Sequence, residues 1–431
     1  MLGRFNNSID MASRALLILA SLTLILDVAT AKAALECGTV LSRGSGEITA
    51  LATNHTGDRI ATASVNSSDG RHSTFTAITV WNQSGEALAK NVLDRTLITA
   101  LAFDPTARAV AAGDSDGVIY LMTADNQSAL KSSPPSTNTV QVADHSDIFR
   151  RRPTSGACQV ISFSKKQLIA GTNTGCLVKA DYRVHSNKTV FLGTQNALLN
   201  TSSSESGAAP HPTRFIDAKS GLVLSAGESS VLIHNHFFSG GKPEFEKTVG
   251  IPMLSEKFTP ETVTAISRLD NSSIFAIAGN YGSIRFLDTT TNKLLDWRFT
   301  LPHLRPFLTN PDHRIPRLVV KELLYSAERN LLIAVGFETV RINNLIFKKI
   351  DGVRFIAIDL LRGTLKKDWF ETFENRNDNV QNFTSLQFDH PVAISADRKT
   401  LFFGSLKAGS IFRFQVEQLF DFADRKETFN Q

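Results

Sequence analysis

Three observations predict an all-β fold, a seven-bladed β-propeller of four-stranded antiparallel blades. A phrase of strand, tight polar turn and strand recurs seven times. Each copy is preceded by a further apolar strand. The last copy stops without an outer strand, while a spare short strand lies ahead of the first. Short hairpins at a regular period mark radial repeat architectures, whose units pack on their neighbours alone.

Six copies share one pattern. They are AAGDSDGVIY (Ala111 to Tyr120), IAGTNTGCLV (Ile169 to Val178), SAGESSVLI (Ser225 to Ile233), IAGNYGSIRF (Ile277 to Phe286), AVGFETVRI (Ala334 to Ile342) and FGSLKAGSIF (Phe403 to Phe412). The first copy is stretched, from Ile60–Val65 across a long turn to Ala77–Trp81. Gly117, Gly175, Gly282 and Gly409 fall where a tight hairpin demands positive φ. Gly113, Gly171, Gly227, Gly279 and Gly336 lie in or at the end of a strand, where a missing side chain admits a close neighbour.

The strands that open each period include Ile48–Ala52, Ile98–Phe103, Gln159–Phe163, Val263–Ser267 and Val392–Ser395. They are apolar on both faces, as sheets covered on both sides by neighbouring blades require. At the ends of the chain, Gly38–Ser42 supplies the strand that the last repeat lacks. Joining the two completes the seventh sheet and removes an open edge.

The insertions are residues 125–157, 194–213, 300–317, 343–352 and 370–390. They are polar, Ser/Gly/Ala-rich or proline-bearing. Loops on a rigid scaffold are where binding concentrates. Arg150, Arg151 and Arg152, in the first of them, form a candidate binding loop for an acidic lipid, glycan or protein.

AGDSDGVIY, ending at Tyr120, resembles the hairpin of WD40 repeats. Ala77–Asn82 resembles their closing strand, with Asn82 where Asp is usual, and Phe286–Asp288 is a weaker echo. The resemblance covers residues 38–416. It departs from the pattern in two ways: no Gly-His pair opens a repeat, and six of the seven closing strands lack the Trp. Residues 287–297 and 358–369 look instead like repeats of quinoprotein-type propellers, a family that includes cofactor-free assembly factors of the bacterial envelope. Either resemblance implies a propeller and no particular substrate.

The amino terminus supplies an address. Residues 15–26 read ALLILASLTLIL, preceded by Arg4 and Arg14 and followed by Ala31-Lys32-Ala33. A basic start, an apolar run and small residues at a cleavage point make a secretory signal over residues 1–33, cut between Ala33 and Ala34. Twelve helical residues span about 18 Å, short of the roughly 30 Å of a hydrocarbon core. The predicted layout is signal 1–33, propeller 34–418 and C-terminal tail 419–431. The mature chain is expected outside the cytoplasm, secreted or periplasmic, with no stable membrane span.

Net charge is +5 over 431 residues, and the signal holds +1 of it. The rest is far from the basic footprint of a nucleic-acid binder. Of the three cysteines, Cys158 and Cys176 start strands two apart. That places them near 9.6 Å, beyond the roughly 7 Å a disulfide tolerates, so the pair is predicted unbonded. Eight Asn-x-Ser/Thr sequons, from Asn54 to Asn382, mark surface loops if the cell that makes the protein glycosylates them.

No catalytic motif stands out. Phosphate-loop, Cys-x-x-Cys and His-Glu-x-x-His patterns are absent from the sequence. His234 and His236 share a strand face without a third metal ligand. Asp114–Gly117 has the start of a calcium loop without its later acids. His303, Asp312 and His313 share one proline-rich loop with no nucleophile. Catalytic, metal and cofactor sites are therefore assigned to no residue. The expected function is a non-catalytic scaffold for a protein partner. The alternative is an enzyme or a carbohydrate-binding or small-ligand-binding propeller with an axial site.

Overall fold

The computed structural model describes residues 39–43, 47–67, 74–94, 96–124, 138–141, 156–164, 167–185, 188–198, 212–217, 220–226, 230–234, 247–250, 262–270, 272–279, 282–301, 317–343, 346–349, 352–372, 391–404 and 410–425. They form seven antiparallel sheets.

Blade 1 runs Glu47–Thr53, Arg59–Ser67, Thr74–Asn82 and Ala87–Asp94. Blade 2 runs Ile98–Phe103, Ala109–Asp114, Val118–Thr123 and Asn138–Gln141. Blade 3 is Cys158–Phe163, Gln167–Thr172, Cys176–His185 and Lys188–Leu198. Blade 4 is Thr213–Asp217, Leu222–Ala226, Ser230–His234 and Lys247–Gly250. Blade 5 is Val263–Arg268, Ile274–Gly279, Ser283–Asp288 and Lys293–Thr300. Blade 6 holds Arg317–Ser326, Leu331–Asn343, Gly352–Asp359 and Thr364–Thr372, with Ile346–Lys349 as a fifth strand beside the second. Blade 7 takes Val392–Ile394, Thr400–Gly404 and Ser410–Gln415, and its fourth strand is Thr39–Arg43.

The spare N-terminal strand thus completes the seventh sheet. Thr39 stands opposite Arg413, and Arg43 opposite Ser410. Seven apolar clusters join the sheets, one for each pair of neighbours. The last holds Ile48, Leu51 and Ile60 of blade 1 against Phe402 and Ile411 of blade 7. The second strands are buried from end to end in Ala109–Asp114 and Leu222–Ala226, because both their faces meet a neighbouring blade.

The turn glycines behave as their position demands. Gly117 has φ +78° in the turn after the second strand of blade 2. Gly113 is the next-to-last residue of that strand, and a Cβ placed there would lie 2.4 Å from Cys158 Sγ of blade 3. Gly409 lies outside the described residues.

Four readings need correction. AVGFETVRI is one continuous strand, part of Leu331–Asn343, and not a hairpin. Its middle, Phe337-Glu-Thr-Val340, offers no turn residue and favours extended backbone. Residues 194–198 belong to the outer strand of blade 3 rather than to an insertion. The polar 125–157 stretch contains the outer strand of blade 2, with Val118 opposite Gln141. Finally, the expected tail begins inside a helix, α1 (Val416–Asp424), which buries Val416, Leu419, Phe420 and Ala423. Its apolar positions recur at helical spacing and complete the cluster between blades 6 and 7.

Cys158 is buried and free, on a strand separated from that of Cys176 by Gln167–Thr172, as the spacing predicts.

Candidate functional site

Four-stranded meanders return the chain to the face it left. Every connection between blades therefore leaves from the face where the inner strands begin. The inner strands touch in sequence, from blade 7 through blade 1 to blade 6, around one axis.

Each inner strand of blades 1 to 6 carries a register shift near its start, which sets one residue outside the ladder. The extra residues are Thr49, Thr99, Gln159, Arg214, Thr264 and Lys321. A bulge strengthens local twist and re-aims the side chain it frees. In blades 1 and 2 that side chain staples neighbours. Thr49 Oγ1 donates to Ile98 O at 2.8 Å, and Thr99 Oγ1 donates to Cys158 O at 2.7 Å. In blades 3 and 4 longer side chains stand at the same place, and Arg214 donates to Gln159 Oε1 at 3.3 Å. Thr264 and Lys321 continue this polar arc, half-buried. The sequence carried the signal: one polar residue interrupts each apolar run at a fixed offset.

Directly after the blade 6 bulge, Glu322 accepts from Ser267 of blade 5. Glu322 also accepts from Leu323 N at 3.0 Å and lies 3.6 Å from Arg398 of blade 7. Arg398 in turn donates to Leu323 O at 2.8 Å. This acid is held by neighbours across three blades and staples their inner strands together.

The candidate calcium loop is a capped hairpin. Asp114 Oδ1 accepts from Asp116 N and Val118 N at 2.9 and 2.7 Å, and Oδ2 accepts from Tyr120 Oη at 3.0 Å. Burial raises the Asp114 pKa despite these bonds. Both oxygens serve the turn. The described residues hold no group of three or more His, Cys, Asp or Glu able to bind a metal. His234 ends the third strand of blade 4. Ala33, Ala34, Cys37, Arg150, Arg151, Arg152, His236, His303, Asp312 and His313 lie outside the described residues.

Asn54 is an unsuitable glycan acceptor despite its sequon. It is buried, its amide donates to Thr56 and Asp58, and its Oδ1 accepts from Arg59 N at 3.1 Å. In blade 1, Trp81 Nε1 donates to Thr62 Oγ1 at 2.9 Å.

No helix of the described residues is long and apolar enough to cross a membrane. No family model and no curated protein matches the chain. Among solved structures, a chain of the crystal structure of a mitotic checkpoint complex is similar to it. The TM-score is 0.51 at 14% identity, over 88% of this chain and 91% of that one. With seven antiparallel sheets joined in series, this likeness gives the chain a WD40-like β-propeller fold.

Proposed function

We propose that the chain is an exported, non-catalytic scaffold that presents the face where its inner strands begin to a protein partner. The observation that carries this reading is the unequal dressing of the two faces. On the proposed face, the connections 142–157, 199–212, 251–262, 301–316 and 373–391 separate consecutive blades. On the other face, the turns that follow the inner strands are short, 54–58, 104–108, 164–166, 218–221, 269–273, 327–330 and 395–399, and the long connections are two, 124–137 and 235–246 between the third and fourth strands of blades 2 and 4. Long connections on a rigid frame suit recognition. The structural neighbour is named for a multi-protein complex, which favours the same class of role. Export rests on the apolar run before Ala33, and cleavage there leaves Ala34 as the first residue.

The test is affinity capture of residues 34–431 from the native exported fraction, with mass spectrometry of what is retained. In place of simple deletions, the variants replace 142–157 or 373–390 with Gly/Ser linkers of equal length, which keep the span from outer to inner strand and leave every described strand in the chain. Loss of a reproducible partner on either replacement, with the melting curve unchanged, supports the scaffold. Retention by both replacements, or recovery of the protein alone, overturns it. N-terminal sequencing of the exported protein checks the cleavage point, and any start other than Ala34 refutes it.

A further inference from the structure

Blade 6 departs from the four-stranded pattern in one place. The second strands of blades 2 and 3 end one residue past Gly113 and Gly171, at Asp114 and Thr172. The second strand of blade 6 runs on past Gly336 to Asn343. Ile346–Lys349 returns along one edge of this extension, with Thr339 opposite Lys349 and Arg341 opposite Phe347. Along the other edge the inner strand also starts early, and Arg317 stands opposite Thr339. A three-stranded ribbon therefore rises from blade 6 on the face where the inner strands begin.

One edge of the ribbon lacks a partner strand. Among the described residues, Ile346–Lys349 pairs with Leu331–Asn343 alone. The outer strand that covers Gly352–Asp359 stops at Thr372, opposite Gly352. The outer edge of Ile346–Lys349 is thus a template of four residues, about 13 Å long.

The two sides of the ribbon differ in charge. Residues directly opposite share a side, and so do residues two apart on a strand. One side takes Arg317, Thr339, Arg341, Phe347 and Lys349, with three cations and no acid. It continues the side of the sheet that sets Phe337 against Phe403 of blade 7. The other side takes Leu318, Glu338, Val340 and Lys348, where one acid balances one cation.

We infer that the edge Ile346–Lys349 pairs with an extended acidic segment of a partner protein, which adds a fourth strand to the ribbon. Main-chain pairing supplies the affinity of such strand addition, and side chains supply the choice of sequence. Lys348 and Lys349 lie on the edge strand itself, and Arg317 and Arg341 extend the positive field behind it. Lysines on an edge oppose pairing between two copies, because self-pairing sets like charges against each other. An acidic strand meets no such repulsion. The inference rests on the reading that this face meets a protein partner, and it names the chemistry of that partner.

The experiment titrates the full mature chain into a fluorescein-labelled peptide, acetyl-EVEVTVEV-amide, and reads anisotropy. A saturable rise is expected, weakened at least about tenfold by Arg341→Glu combined with Lys349→Glu. The same peptide with lysine for glutamate should give no saturable rise. N-methylation of one alternating set of peptide amides should abolish binding, and of the other set should not, because one set alone faces the edge. Melting curves confirm that the double variant folds.

The absence of a saturable rise overturns the inference. So does binding that survives both N-methylated peptides, which shows charge attraction without strand pairing. A rise that appears only after a Gly/Ser linker replaces 373–390 assigns the edge to the chain's own connection, and overturns it too. Sedimentation with phosphatidylglycerol vesicles that the double variant loses, without peptide binding, assigns the cations to a lipid surface with the same consequence. A captured partner that the double variant retains overturns the edge and leaves the scaffold standing. Capture of the protein alone overturns the scaffold whatever the peptide does.

Discussion

Arg329 donates to Asp424 at 3.0 Å across 95 residues of sequence, and the same guanidinium reaches Asp421 at 2.8 Å and also Glu417. Helical spacing stacks these three acids on one face of α1. Asp424 sits in the last turn, where the helix dipole opposes a negative charge and α1 supplies no basic residue of its own. Arg329 and Lys366 supply the cations from blade 6 instead. Arg329→Ala should cost about 1–2 kcal/mol, discounted for the exposure of Glu417 and Asp421. Burial disfavours ionised Asp424, but hydrogen bonds from Lys366 and Arg329 outweigh it and lower the pKa. A depressed carboxylate pKa stabilises the fold above the unfolded value and loses that support as pH falls through the folded one. Urea melts of wild type and Arg329→Ala should therefore differ at pH 7 and converge below about pH 3. Identical midpoints at pH 7 would refute the clamp.

Gly113 and Cys158 meet where blades 2 and 3 pack closely. A Cβ at Gly113 falls 2.4 Å from Cys158 Sγ and 2.5 Å from its Cβ. Gly113→Ala should therefore destabilise by about 1–3 kcal/mol, and Cys158→Gly in the same chain should recover part of the loss. Burial pushes the Cys158 thiol up to about 12, so thiol reagents should reach it only on unfolding. Rapid labelling of Cys158 in native buffer would contradict that packing.

The repeat was legible because hairpin chemistry is local. Gly117, Gly175 and Gly282 announce turns that the structure keeps. Blade 6 misled because its copy of the phrase has no turn residue after Gly336, and strand propensity runs through to Asn343. The outer strand Asn138–Gln141 was hidden because its four residues draw their stability from pairing with Val118–Leu121, not from their own pattern. Helix α1 was missed for a similar reason, since nine residues are too few to form a helix without a surface to cover. The polar arc Gln159, Arg214, Thr264 and Lys321 was visible as interruptions of apolar runs. Its place around the axis follows from ring geometry, which no local window contains.

Thr39–Arg43 shields the third strand of blade 7, Ser410–Gln415. A chain beginning at Gly44 leaves that strand as an edge, open to pairing with another molecule. Its loss should cost about 2–4 kcal/mol, from the net worth of a few backbone hydrogen bonds. Concentration-dependent aggregation should accompany that cost. The comparison is the melting curve and light scattering of chains starting at Ala34 and at Gly44. Equal stability and equal scattering would show that the N-terminal strand does not hold the seventh sheet.

Glu371 stands opposite Val353 in the outer strand of blade 6, with Oε1 buried and unpartnered. Burial pushes its carboxyl up to about 7, from an ordinary value of 4.5. A folded pKa raised above the unfolded one favours the fold while the group stays protonated. Between about pH 4.5 and 7 the unfolded chain binds fewer protons at this site than the folded chain does. Stability therefore falls across that window and levels off above it. Glu371→Gln keeps the shape and removes the titration. It should match wild type near pH 4 and exceed it at pH 8, with a flatter profile between. Urea midpoints at four pH values decide the matter, and parallel profiles for the two proteins would show that Glu371 ionises freely in the folded state.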